Sequence, residues 1–113
     1  MSFKEMGTAE PREETNPYET AMFAAEIGGA PTVDLHEFTT QEAVLALDRF
    51  INHEFLEGSE SVKIIHGRGT GKLRAMIQDF LGKHELVAAF RDSHAPNQIG
   101  GVTIAALYSK DRE

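Results

Sequence analysis

The segment Ile64-Ile65-His66-Gly67-Arg68-Gly69-Thr70-Gly71-Lys72-Leu73-Arg74 constrains the fold more than any other stretch of the chain. An apolar run delivers a histidine, glycines then occupy every second position, and an amphipathic segment follows. That order predicts a strand, a tight turn and a helix, because β-branched residues suit a pleated strand and glycine can enter left-handed backbone conformations. Such a turn aims N–H groups inward, and a helix opening near Thr70 adds its own unpaired N–H groups and dipole. Arg68, Lys72 and Arg74 add fixed positive charge of a kind that suits phosphate. The segment therefore predicts a phosphate-binding turn made of Gly67, Arg68, Gly69, Thr70, Gly71, Lys72 and Arg74, with the His66 imidazole at its rim. Two better-known glycine loops do not fit. For a Walker loop, one residue too few separates Gly67 from Gly71-Lys72, and Leu73 stands where Ser or Thr is needed. For a dinucleotide loop, the second glycine interval is too short.

The rest of the chain reads as a frame for this turn. Asn16-Pro17 resembles a helix cap followed by proline at the first helical position. Tyr18, Met22, Phe23 and Ile27 then predict one apolar face of a short helix over about 17–28, stopped by Gly28-Gly29. Thr32 to His36 predicts a strand with Val33 and Leu35 on one side, Asp34 and His36 on the other. Thr39 with Glu42 matches a capping box, and Val44, Leu47, Ile51 and Phe55 give a helical stripe that ends at Gly58. Ser61 to His66 is the next strand. A second main helix is expected from about Thr70 to Lys83, with Leu73, Met76, Ile77, Phe80 and Leu81 buried. Leu86 to Phe90 and Val102 to Tyr108 predict a final hairpin around a polar loop. The expected fold is α/β: a two-layer sandwich, β-α-β-α-β-β, with a mixed four-stranded sheet and two main helices. The expected organisation is an acidic N-terminal tail over residues 1–30, carrying the short helix, and one domain over 31–109.

Strands joined through a helix are parallel with a right-handed crossover, so the first two strands end on one edge of the sheet. Asp34 and His36 end the first, and His66 with the glycine turn ends the second. Both features thus converge at the carboxyl edge, where α/β sheets bind ligands. A histidine there titrates near neutral pH and can move a proton at a phosphodiester oxygen, oriented by Asp34, while the turn stabilises charge on phosphorus. This predicts metal-independent phosphodiester cleavage with Asp34, His36 and His66 as catalytic residues. The residues alone leave alternatives open. Asp34 could simply accept N–H groups of the following turn. Two histidines and a carboxylate are also a common metal-ligand set, so a divalent ion stays open although no cofactor is required. His94, in the last loop, could reach the site.

Composition sets outer bounds. The net charge of -7 argues against a general polyanion binder, but its distribution is uneven. Residues 62–91 carry six cations against Asp79 and Glu85, whereas residues 32–61 carry only Arg49 against seven acids. No stretch approaches the roughly 20 apolar residues that span a bilayer, and no signal-peptide pattern opens the chain. With no cysteine there is no disulfide framework or thiolate metal site. A cytoplasmic protein, monomeric and without a membrane, is expected.

Val33-Asp34-Leu35-His36 resembles the Leu-Asp-Leu-His motif of small MutS-related (Smr) domains. His66-Gly67-Arg68-Gly69-Thr70-Gly71 resembles their His-Gly-x-Gly-x-Gly motif, including the Leu73-Arg74 that follows, and Gly101-Val102-Thr103 resembles their closing strand. The likeness covers about residues 32–108. It implies a fold similar to the C-terminal domain of translation initiation factor 3 and action on nucleic acid, by RNA cleavage or DNA nicking, with the ribosome as one expected partner. It links Asp34 and His36 to cleavage, and His66, Gly67, Arg68 and Gly69 to substrate binding and activity. Glu37 and Gln98-Ile99 stand where the family usually carries glycine. The alternative it implies is a non-catalytic nucleic-acid or ribosome-binding module. A domain that docks a basic protein through its acidic helical side is a third.

Overall fold

A computed structural model describes residues 16–110; the first half of the acidic tail expected over residues 1–30 lies outside them. Among the described residues, four strands form one mixed sheet in the order β1-β2-β4-β3. They are β1 (Thr32–Asp34), β2 (Ser61–Ile65), β3 (Val87–Asp92) and β4 (Val102–Leu107), and the helices are α1 (Pro17–Gly28), α2 (Thr40–Glu57) and α3 (Lys72–Lys83). β1 and β2 run parallel, with Asp34 opposite Ile65. β4 runs antiparallel to both β2 and β3.

Alternation along β2 and β4 divides the core in two. Val62, Ile64, Ala105 and Leu107 meet the stripes of α2 and α3, centred on Ala43, Leu47, Ile51, Ile77 and Leu81. This is the predicted two-layer α/β sandwich. Ile104 and Ala106 point the other way and are covered by Ala21, Met22 and Ala25 of α1. The helix over 17–28 forms, capped by the Asn16 side chain, which accepts from Tyr18 N at 2.9 Å. Of its predicted face, Met22 is buried and Tyr18 packs against the same cluster, but Phe23 and Ile27 are 59% and 72% exposed. Ala21 and Ala25 let the helix backbone lie close to the sheet, and that rotation carries the two larger side chains outward.

Several boundaries move for identifiable reasons. β1 ends at Asp34 rather than His36: Leu35 N still donates to Ile65 O at 2.7 Å, but Phe38 N then donates to Leu35 O at 3.0 Å, closing a turn. α3 opens at Lys72 rather than Thr70 because Gly71 has φ of 88°, which no helical residue adopts. β3 runs on to Asp92, where polar ends are tolerated because Arg74 and Gln78 bond to Asp92. α2 starts as predicted: the Thr39 hydroxyl accepts from Glu42 N at 3.1 Å, and Glu42 accepts from Thr39 N at 3.0 Å.

Candidate functional site

The carboxyl ends of β1 and β2 open into one cleft of about 520 Å³. His36, His66, Phe38 and the whole Gly67–Gly71 turn line it, together with the first residues of α2 and α3. Both helices follow parallel strands, so both place their positive N-terminal ends at this edge. Thr39 caps α2, whereas Gly71 offers α3 no side-chain cap.

Asp34 and His36 meet directly. The His36 Nδ1 lies 2.6 Å from Asp34 Oδ1, which also accepts the His36 backbone N–H at 3.1 Å. The carboxylate accepts only, so Nδ1 carries the proton and Nε2 is the nitrogen left outside this bond. The side chains are about half exposed, at 50% for His36 and 52% for Asp34. The bond to Asp34 holds the imidazole above its ordinary pKa, and the bond to His36 holds the Asp34 carboxyl below its own. Glu37, 82% exposed, brings Oε2 to 3.4 Å from His36 Nε2.

His66 lines the same cleft but is only 3% exposed. Its Nδ1 lies 3.0 Å from Gly67 O, an acceptor, and so is the protonated nitrogen. Its Nε2 lies 2.9 Å from the Thr103 hydroxyl, which itself accepts from Gln78 Nε2 at 2.9 Å and therefore donates its proton to His66. Both nitrogens are engaged, and burial pushes the imidazole pKa down, which favours the neutral ring. Gln78 also donates to Asp92, which takes a two-pronged bond from Arg74, with Nε at 2.9 Å. Arg74 thus borders the cleft with its guanidinium tied to β3.

The turn itself is built around Gly101. Gly101 O accepts from both His66 N and Gly67 N at 3.0 Å. Gly67 has φ of 79°, and a Cβ there would sit 3.2 Å from His36 Cβ, so the turn reaches the dyad only with glycine at this place. The N–H groups of Gly69, Thr70 and Gly71 meet no protein acceptor among the described residues. Arg68 uses two of its five donors on the last loop, at Ile99 O (3.0 Å) and Asn97 O (3.1 Å), and Lys72 is exposed beside the turn.

All ten residues singled out from the sequence therefore lie at one edge of the sheet, while Thr103, Gln78 and Asp92 were not anticipated. His94 does not reach it: its backbone N–H is bonded to Glu26 of α1. A depression of similar size beside the end of α3 holds a second acid–imidazole pair, Asp48 with His84 at 2.8 Å. There the other ring nitrogen accepts from Leu86 N, so the imidazole is closed on both sides. Among the described residues, no group of three or more His, Asp or Glu converges as a metal site. No helix among them is long and apolar enough to cross a membrane.

Fold and cleft together define an α/β domain that brings an acid–imidazole pair and a glycine turn to one edge of its sheet. The chain belongs to the Smr domain family, whose profile matches residues 33–108. It is 40% identical over 76 residues to Endonuclease MutS2 of Caldicellulosiruptor saccharolyticus, a match covering 67% of this chain and 10% of that protein. Against Endonuclease MutS2 of Aquifex aeolicus it is 33% identical over 104 residues, covering 92% of this chain and 13% of that protein. The chain spans about a tenth of the length of these curated relatives. The crystal structure of the Smr domain of Thermus thermophilus MutS2 superposes with a TM-score of 0.66 at 34% identity, covering 69% of this chain and 98% of that one. The stand-alone small MutS-related protein YdaL from Escherichia coli shares the fold, with a TM-score of 0.69 at 22% identity over 87% of this chain and 80% of that one. Helix α1 lies outside the residues that the family profile matches, although the match to the Aquifex aeolicus relative, over 92% of this chain, extends across it.

Proposed function

We propose that this domain is an endonuclease that cleaves RNA or nicks DNA without needing a metal, with His36 as its acid–base group. The observation that carries the reading is the 2.6 Å Asp34–His36 pair packed against Gly67 of the turn. Asp34 fixes the imidazole by its Nδ1–H and leaves Nε2 to exchange a proton with a phosphodiester oxygen. The bond to Asp34 raises the imidazole pKa and so favours the protonated ring, which suits donation to the departing oxygen. The free N–H groups of the turn, the N-terminal end of α3, Lys72 and the remaining donors of Arg68 hold the phosphate and offset the charge that builds on it. His66, neutral and bonded on both sides, serves by fixing the turn rather than by moving a proton. Being named Endonuclease MutS2, the relatives support nuclease chemistry for the family match.

The test is His36→Gln with labelled single-stranded RNA and branched DNA, with and without chelator. Cleavage should fall by at least about a hundredfold, the usual contribution of one acid–base group, while binding survives. Cleavage undiminished in that variant would remove the assignment. A second reading, a module that binds nucleic acid or the ribosome without cutting, is favoured by Glu37, whose carboxylate stands 3.4 Å from Nε2 and repels phosphate there. It predicts salt-sensitive binding and no product from any substrate.

A further inference from the structure

Among the described residues, Phe38 is the one large apolar side chain lining the cleft that belongs to neither hydrophobic cluster, and it keeps 42% of its surface exposed. Its position in the chain does not account for it. It precedes the Thr39 cap, where an apolar residue ordinarily staples onto the fourth residue of the helix. That residue is Ala43, which is fully buried and too short to cover a phenyl ring. The Leu35–Phe38 turn instead fixes the backbone of Phe38 at the cleft that the glycine turn also lines. Next to it, Thr40 is shared between the cleft and an apolar groove of about 470 Å³, lined also by Val44, Leu45 and Met76. Leu45 in that groove is 63% exposed.

Resting on the phosphate-binding reading of the cleft, we infer that Phe38 is a stacking platform for an unpaired nucleobase, so that the site takes single-stranded or flipped-out nucleotides rather than intact duplex. A phosphate seated on the turn is bonded to a sugar whose base must go somewhere. The cationic side of the cleft, with Lys72 and Arg68, takes the backbone, and the apolar side, Phe38 and then the Leu45 groove, takes the base. In a duplex the bases are stacked on each other and present no face to a phenyl ring, so the pairing of charge with an exposed aromatic selects for an unpaired strand. Phe38 contacts the base and not the reacting atoms, which makes it a specificity-determining residue.

The experiment measures binding at low salt of a short single-stranded oligonucleotide, in RNA and DNA forms, against the same strand with abasic residues and against its blunt duplex. The parent chain should prefer the intact strand to both controls by about tenfold, the effect of one base–aromatic stack. Phe38→Ala should lose that preference and bind all three alike, while Phe38→Trp restores it; far-UV circular dichroism checks that both variants stay folded. Salt-sensitive binding of the strand that is unchanged in Phe38→Ala, or a duplex bound as tightly as the strand, overturns the stacking role and leaves the phosphate reading standing. A parent chain that binds none of these overturns both.

Discussion

His36 and His66 show how one residue type takes opposite characters from its neighbours. His36 is half exposed with a carboxylate at one nitrogen; His66 is buried with a carbonyl at one nitrogen and a hydroxyl at the other. Asp34 favours the imidazolium at the first, and desolvation disfavours it at the second. A proton NMR titration should therefore give His36 a midpoint above the ordinary 6.5 and His66 one below it. In Asp34→Asn the His36 midpoint should fall back towards 6.5, and if His36 donates the proton, the high-pH decline of the cleavage rate should move down with it. A His36 midpoint that ignores Asp34 would contradict the pairing. The sign for stability follows. The raised pKa of His36 gives a contribution fully present below 6.5 and lost as pH rises through the raised value. The lowered pKa of Asp34 gives one present above its ordinary 3.8 and lost as pH falls through the lowered value.

At the scale of elements, the strand order brings together residues that the sequence keeps apart. Ile64 is opposite Thr103, so β4 delivers a hydroxyl to the end of β2, and α3 supplies Gln78 to bond it. Thr103→Val keeps the shape but leaves His66 Nε2 buried without a donor, and should cost about 1–3 kcal/mol in urea denaturation. A stability unchanged by that substitution would mean the network is not what fixes the turn. The glycine turn, the Thr39–Glu42 capping box and the Asp34-x-His36 spacing were legible in the sequence because each depends on residues close together in the chain. The network was not, since it depends on antiparallel pairing and strand order. One local signal existed: Arg74 and Gln78 stand four apart on α3, on one helical face, and both meet Asp92. The sequence also placed Phe23 and Ile27 with Met22 on the buried face of α1, because apolar periodicity ranks them above alanine, while the sheet selected the side that allows close approach.

For the whole molecule, the sheet carries a layer on each face. α2 and α3 bracket the cleft from one side, and α1 covers Ile104 and Ala106 from the other, although it lies outside the matched family residues. Glu26 ties it further, with Oε1 2.8 Å from Arg91 Nη1 of β3. Met22 is 3% exposed at this contact, and Met22→Ala should cost at least about 2 kcal/mol by thermal or urea unfolding; a negligible cost would mean that α1 adds nothing to the fold. What the molecule as a whole achieves is the convergence of two strand ends on a single cleft, which the proposed function assigns to one phosphate. The direct measurement is an NMR titration of the full chain with a dinucleoside monophosphate, following the Gly69 and Gly71 amides together with the His36 imidazole. Amides and imidazole should shift along one saturation curve with a common dissociation constant. Glycine amides that respond while His36 stays still, or the reverse, would show that the two features do not share a phosphate and would contradict the account.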